Sequence, residues 1–145
     1  QITDGAAAVL VTTAGVARSL GLTPRARIVD QCLVGVDPVL MLTGPIDATQ
    51  AILSRNNMTI DDIDVVEINE AFASVVLAWE RELRPNMDRV NINGGAIALG
   101  HPVGATGARL VLTSLKELKR RNQKRALVSV CVGGGQGAAI WLEAL

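Results

Sequence analysis

Short apolar runs alternate along this chain with longer stretches whose apolar residues recur every three or four positions. Glycine or proline marks most of the boundaries. That alternation points to an α/β layered sheet, because such strands bury both faces only when helices pack on them. After a turn at Asp4-Gly5, Ala6 to Thr12 reads as a buried strand of small residues. Ala14 to Leu20 reads as a short helix closed by Gly21 and stopped by Pro24. Arg27 to Val34 is a second strand, ended by Gly35-Val36-Asp37-Pro38. Pro45 opens a helix running to about Asn56, and Thr59 is an N-cap for a short turn through Asp62. Ile63 to Ile68 is a β-branched strand. Glu70 to Leu83 is helical, with Phe72, Val75, Val76, Trp79 and Leu83 on one stripe. Val90 to Ile92 is a short extended piece. Gly104 to Arg121 is a long helix turning Val111, Leu115 and Leu118 inward. Arg125 to Val132 and Ala138 to Leu142 are final strands, joined as an antiparallel pair by Gly133-Gly134-Gly135-Gln136-Gly137.

Composition narrows the function classes. The 145 residues carry 14 Lys+Arg against 14 Asp+Glu, and aromatics are 2%. A nucleic-acid binder is ordinarily basic and needs stacking platforms, so we expect no nucleic-acid partner. No apolar run approaches the roughly 18 residues that span a bilayer, so we expect no membrane span. Two cysteines, Cys32 and Cys131, suit a reducing compartment. The sequence opens at Gln1 within what reads as structured chain, which suggests a fragment or a processed product. We expect no signal peptide, and Glu143-Ala144-Leu145 does not read as a peroxisomal tripeptide. The basic cluster Lys116, Lys119, Arg120, Arg121, Lys124 and Arg125 reads as a solvated helix end complementing the dipole. A site for an anionic ligand is the alternative.

Three polar residues fall at the ends of expected strands, where ligands gather in open α/β sheets. His101 is the single histidine, set in Asn93-Gly94-Gly95-Ala96-Ile97-Ala98-Leu99-Gly100-His101-Pro102-Val103-Gly104. An imidazole suits proton transfer near neutral pH, and glycines allow close approach; its structural alternative is to brace the loop. Cys131 precedes a glycine run that offers free backbone N–H groups. Its thiol pKa could be lowered by a neighbouring imidazole or amide dipole, or it could simply pack as a small apolar residue. Asn69 opens the helix after Ile68, either as an N-cap or with its amide holding a water or carbonyl oxygen. Cys32 lies inside an apolar strand and reads as core. One histidine and two distant cysteines make no metal-ligand set. The glycine run after Cys131 leads into a strand rather than a helix, so it is not a dinucleotide fingerprint.

These motifs resemble the C-terminal signature blocks of the thiolases, the acetyl-CoA acetyltransferases and 3-ketoacyl-CoA thiolases. The resemblance rests on Asn69-Glu70-Ala71-Phe72-Ala73, on Asn93-Gly94-Gly95-Ala96 with Gly100-His101-Pro102, and on Cys131-Val132-Gly133-Gly134-Gly135-Gln136-Gly137. Asp4-Gly5-Ala6-Ala7-Ala8 and Gly35-Val36-Asp37-Pro38 are similar to further landmarks. The resemblance implies a thiolase-like C-terminal half, with a mixed, mostly parallel sheet and helices on both faces. Residues 1–23 would be the tail end of the N-terminal domain and residues 24–145 the C-terminal domain. It implies that His101 activates a nucleophilic cysteine and helps bind the thioester oxygen, and that Cys131 is the second catalytic cysteine, an acid/base. Asn69 would position a water in one oxyanion site, and the Gly133 N–H would donate in the other. Met41, Ala71 and Phe72 would lie near the pantetheine and acyl groups.

The same resemblance implies acyl transfer between acyl-CoA and CoA or a second acyl-CoA, by thiolysis or Claisen condensation. Coenzyme A would be a substrate, and no cofactor would be bound. The nucleophilic cysteine would belong to an N-terminal half absent from this chain, leaving the chain inactive alone. It also implies a homodimer or homotetramer of the whole enzyme and, for a bacterial-type member, the cytoplasm, with an organellar matrix as the alternative. Exposed apolar surface is expected where the missing half would sit. One rival is a non-catalytic thiolase-like subunit pairing with a nucleophile-bearing chain. Another is a ketoacyl synthase, which typically places a histidine where this chain has Cys131.

Overall fold

A computed structural model describes residues 2–145. Thr13 caps the first helix, α1 (Ala14–Ser19), by accepting the Val16 N–H on its hydroxyl. The chain then enters β1 (Ala26–Gly35). Pro45 sits in the first turn of α2 (Gly44–Arg55), where its missing N–H has no helical partner to lose. Thr59 and Asp62 close a capping box around the one-turn 3-10 helix Ile60–Asp62. There follow β2 (Val65–Ile68), α3 (Ala73–Leu83), the one-turn α4 (Ala96–Leu99) and α5 (Thr106–Arg121). The chain ends in β3 (Arg125–Val132) and β4 (Gln136–Ala144). No helix among the described residues is long and apolar enough to cross a membrane.

The four strands form one mixed sheet in the order β1-β4-β3-β2. Strand alternation divides its side chains between two cores. Leu127, Ala139 and Trp141 face α2 and α3, packing on Ala48, Ile52 and Trp79. Ala126, Val128 and Leu142 face α5, packing on Leu110 and Leu118. The expected α/β layering with helices on both faces is therefore present. The expected predominance of parallel pairing is not. Only β2 and β3 run parallel, while β1–β4 and β3–β4 are antiparallel. The glycine turn between β3 and β4 is too short for a crossover, and β1 enters beside β4 rather than beside β2.

The expected strand from Ala6 to Thr12 is also absent. Residues 3–13 carry no regular structure and are largely exposed, because no strand of this chain lies beside them to complete a ladder. Their one anchor is a bridge from Ile2 to His101, with Gly5 pressed on Pro102. The helix expected from Glu70 starts at Ala73, and Phe72, counted on its inward stripe, is 62% exposed. Val75 and Trp79 do face the core, and the Trp79 indole N–H donates to the Thr49 hydroxyl.

α5 packs on β2, β3 and part of β4 but leaves β1 uncovered on that face. The result is an apolar groove of about 480 Å³ lined by Leu33, Val111, Val130 and Ile140, with Leu33 86% exposed.

Candidate active site

The parallel pair β2–β3 ends with Asn69 and Cys131 side by side. The Asn69 N–H continues the ladder to Ser129 O at 2.9 Å, which fixes the residue at the strand's carboxyl end. Its side-chain Nδ2 lies 3.7 Å from Cys131 Sγ and donates to it. Asn69 is 3% exposed, and its Oδ1 is buried without a protein partner. The N-cap alternative for Asn69 falls here: α3 begins four residues later, and the amide serves the thiol instead.

Burial pushes the Cys131 thiol above its ordinary range, and the Asn69 N–H pulls it partly back. The direction is opposite to that expected from a neighbouring imidazole or dipole. Cys131 is therefore held toward its neutral thiol form. Behind it, Gly135 has φ +81° and stands where a Cβ would meet Val36 O at 2.8 Å. Val36 N–H donates to Gly135 O at 2.7 Å, so the Gly35-Val36-Asp37-Pro38 turn braces the cysteine's glycine loop. Gly133 is exposed at the tip of that loop.

His101 lies on a third segment, which Glu70 ties to the Asn69 loop. One Glu70 carboxylate oxygen accepts from Asn91 Nδ2 at 2.8 Å, and the other accepts from the Ile97 N–H at 3.0 Å, inside α4. Asn91 also exchanges hydrogen bonds with both backbone groups of Ile68. Gly95 leaves room for this carboxylate, since a Cβ there would lie 2.1 Å from Glu70 Cδ. The His101 ring pairs with Thr106: Nδ1 is 2.7 Å from Thr106 Oγ1. The imidazole makes no hydrogen bond to Asn69 or Cys131. The structure thus brings Asn69 and Cys131 into contact, and Glu70 ties the Asn69 loop to the segment that leads to His101.

Met41 occupies the turn before α2 with φ 55°, and Ala71 and Phe72 follow the site asparagine, Phe72 open to solvent. None of the three touches Asn69, Cys131 or His101 through a hydrogen bond. Cys32 is half-buried and packs against the core from its edge, with its thiol donating to Ala48 O in α2. The basic end of α5 is not merely solvated. Arg120 and Arg121 clasp buried Glu117, which also accepts from Asn93 Nδ2 at 3.1 Å. The Arg120 hydrogen bond leads in holding that carboxyl down at about 2.

Sequence reasoning missed Glu67, although a carboxylate inside Val65-Val66-Glu67-Ile68 was a visible signal. It is fully buried, both oxygens lack protein partners, and burial raises its pKa to about 8 despite Arg109 nearby. Glu70 and Glu117 add to the rise. The folded state therefore keeps a proton that the unfolded chain releases above its ordinary value of 4.5. Stability from this group is complete below about pH 4.5 and declines as pH climbs to about 8, by on the order of 5 kcal/mol. We expect urea unfolding of the wild type to show this decline and Glu67→Gln to be flat across the same window. An equal slope in the variant would contradict the assignment.

A thiol and a carboxamide with a free acceptor meet here beside an exposed glycine loop, and Glu70 ties the segment carrying the imidazole to them; acyl transfer uses groups of these types. The family described as thiolase, C-terminal domain, matches residues 22–144. The chain is 52% identical to the steroid 3-ketoacyl-CoA thiolase FadA6 of Mycobacterium tuberculosis over 145 residues, all of this chain and 36% of that protein. It is 49% identical to the acetyl-CoA acetyltransferase of Cupriavidus necator over 142 residues, 98% of this chain and 36% of that protein. The crystal structure of human mitochondrial 3-ketoacyl-CoA thiolase superposes with a TM-score of 0.88 at 42% identity, covering 92% of this chain and 34% of that one. The Bacillus anthracis acetyl-CoA acetyltransferase superposes with a TM-score of 0.87 at 45% identity, with the same coverage. The chain belongs to the thiolase family. It spans about a third of the length of these relatives.

Proposed function

We propose that this chain is the C-terminal catalytic part of a thiolase, acting in acyl transfer between an acyl-CoA and either CoA or a second acyl-CoA. The observation that carries the reading is the contact between the Asn69 amide and the Cys131 thiol at the ends of β2 and β3. In this reading a cysteine outside these residues takes the acyl group, with His101 accepting its proton. Cys131 first gives its proton to the leaving carbanion or CoA thiolate. As a thiolate it then takes a proton from incoming CoA, or from the α-carbon of the second acyl-CoA, and the new S–C or C–C bond forms as the acyl-bearing cysteine leaves and regains its proton from His101. The neutral resting thiol suits that first donation. A water bonded to Asn69 Oδ1 can turn its other hydrogen to the thioester oxygen, beside His101. The Gly133 N–H serves the second oxyanion. Coenzyme A is substrate throughout.

Cys32 does not stand in for the nucleophile in this reading, because it lies within β1, half-buried, with its thiol donating to Ala48 O in α2. The partner supplying it is the N-terminal half of the enzyme, and the apolar groove beside Leu33 and Val111 supports a large surface awaiting cover. The isolated chain should therefore show no cleavage of acetoacetyl-CoA by CoA, and joining it to a nucleophile-bearing thiolase half should give turnover. Turnover by the chain alone would contradict the proposal. Copurification with a separate nucleophile-bearing chain, with Cys131 dispensable, would favour a non-catalytic thiolase-like subunit.

A further inference from the structure

We propose that Thr106 is a positioning residue that holds neutral His101 with its proton on Nδ1, leaving the Nε2 lone pair to act. Thr106 Oγ1 has two close neighbours: His101 Nδ1 at 2.7 Å and Pro102 O at 3.0 Å. A carbonyl oxygen only accepts, and Pro102 O already takes the N–H groups of Ala105 and Thr106. Turning the Thr106 hydrogen toward Nδ1 would leave two electronegative oxygens 3.0 Å apart with no hydrogen between them. Thr106 is 2% exposed, so solvent does little to relieve such a clash. One arrangement satisfies both contacts in a neutral ring: the threonine hydroxyl donates to Pro102 O, and Nδ1–H donates to the hydroxyl oxygen.

The device is local and rigid. Thr106 is the first residue of α5, and its side chain and backbone bond the same proline carbonyl. Pro102 follows the histidine directly, so the helix start and the ring are set together. Isolated imidazole has no such constraint, and which nitrogen carries the proton follows the bond the other one makes. The functional meaning of a free Nε2 rests on the proposed acyl transfer; the tautomer itself does not.

Long-range ¹H–¹⁵N NMR of the ¹⁵N-labelled chain tests this directly, because one histidine gives one imidazole spin system. With the ring neutral, we expect the wild type to carry its proton on Nδ1, with Nε2 showing the shift of a bare nitrogen. Thr106→Ser should keep that pattern, and Thr106→Val should move the proton toward Nε2. In the complete enzyme, Thr106→Val should lower kcat at least about 10-fold with KM little changed, and Thr106→Ser should restore it. A wild-type ring protonated on Nε2 overturns the proposal whether or not the valine variant folds, and so does an unchanged Nδ1–H in folded Thr106→Val. The expected NMR pattern in a complete enzyme without acyl transfer would sink the functional reading and leave the tautomer assignment standing.

Discussion

Replacing Cys131 by serine in the complete enzyme should cut turnover by about 10³-fold while leaving acyl-enzyme formation intact. The thiol sits 3.7 Å from Asn69 Nδ2 and is neutral at rest, so it is placed to give up one proton and take another within a cycle. A serine hydroxyl fits the space and accepts the same amide N–H. It is a far weaker acid, however, and its alkoxide is inaccessible at neutral pH. Acylation by acetyl-CoA expels CoA thiolate, a leaving group stable enough at neutral pH to depart without the Cys131 proton, so that stage rests on His101. Mass spectrometry after mixing with acetyl-CoA should find the acyl adduct on that cysteine, and steady-state assays should find almost no product. Turnover close to wild type would remove Cys131 from the acid/base role.

Gly137→Ala should be among the most destabilising single substitutions in the chain, at roughly 4 kcal/mol. Gly137 crosses the start of α2 backbone to backbone. A Cβ there would lie 2.4 Å from Gly44 C and 2.5 Å from Gly44 Cα and O. The contact is reciprocal, since a Cβ on Gly44 would meet Gln136 O and Gly137 Cα at 2.6 Å. No side chain can swing aside, so either α2 or β4 must move, and both are anchored in the Trp141 core. Because Gly137 is the ladder partner of Cys131, the shift would reach the site as well. Chemical denaturation should show the loss as a lower midpoint with unchanged slope. A variant within about 0.5 kcal/mol of wild type would show that the crossing is looser than described.

Much of this architecture was legible beforehand, where local signals and tertiary demands agree. Pro45 and the Thr59/Asp62 pair mark their helix starts, and the glycine turn marks the β3–β4 hairpin. Periodicity cannot say whether a strand finds a neighbour, so Ala6 to Thr12 was misread and the share of parallel pairing was overestimated. Asn69 looked like a cap because Asn is a good one. Only the fold shows that its amide is committed to a thiol 62 positions away. Glu70, Asn91 and Thr106 escaped notice for a similar reason: each acts by bridging segments rather than by its own chemistry.

The central claim is that the loops carrying Asn69, His101 and Cys131 enclose the reactive end of a coenzyme A thioester. A crystal structure of the complete enzyme with acetyl-CoA bound tests it most directly. In the acyl-enzyme, where His101 Nε2 holds the proton taken from the cysteine, the thioester oxygen should lie within hydrogen-bond reach of Nε2 and of a water on Asn69, with Cys131 Sγ against the acyl methyl. A thioester seated away from these groups, or a His101 ring turned from Cys131 across an intervening wall of protein, would contradict the account.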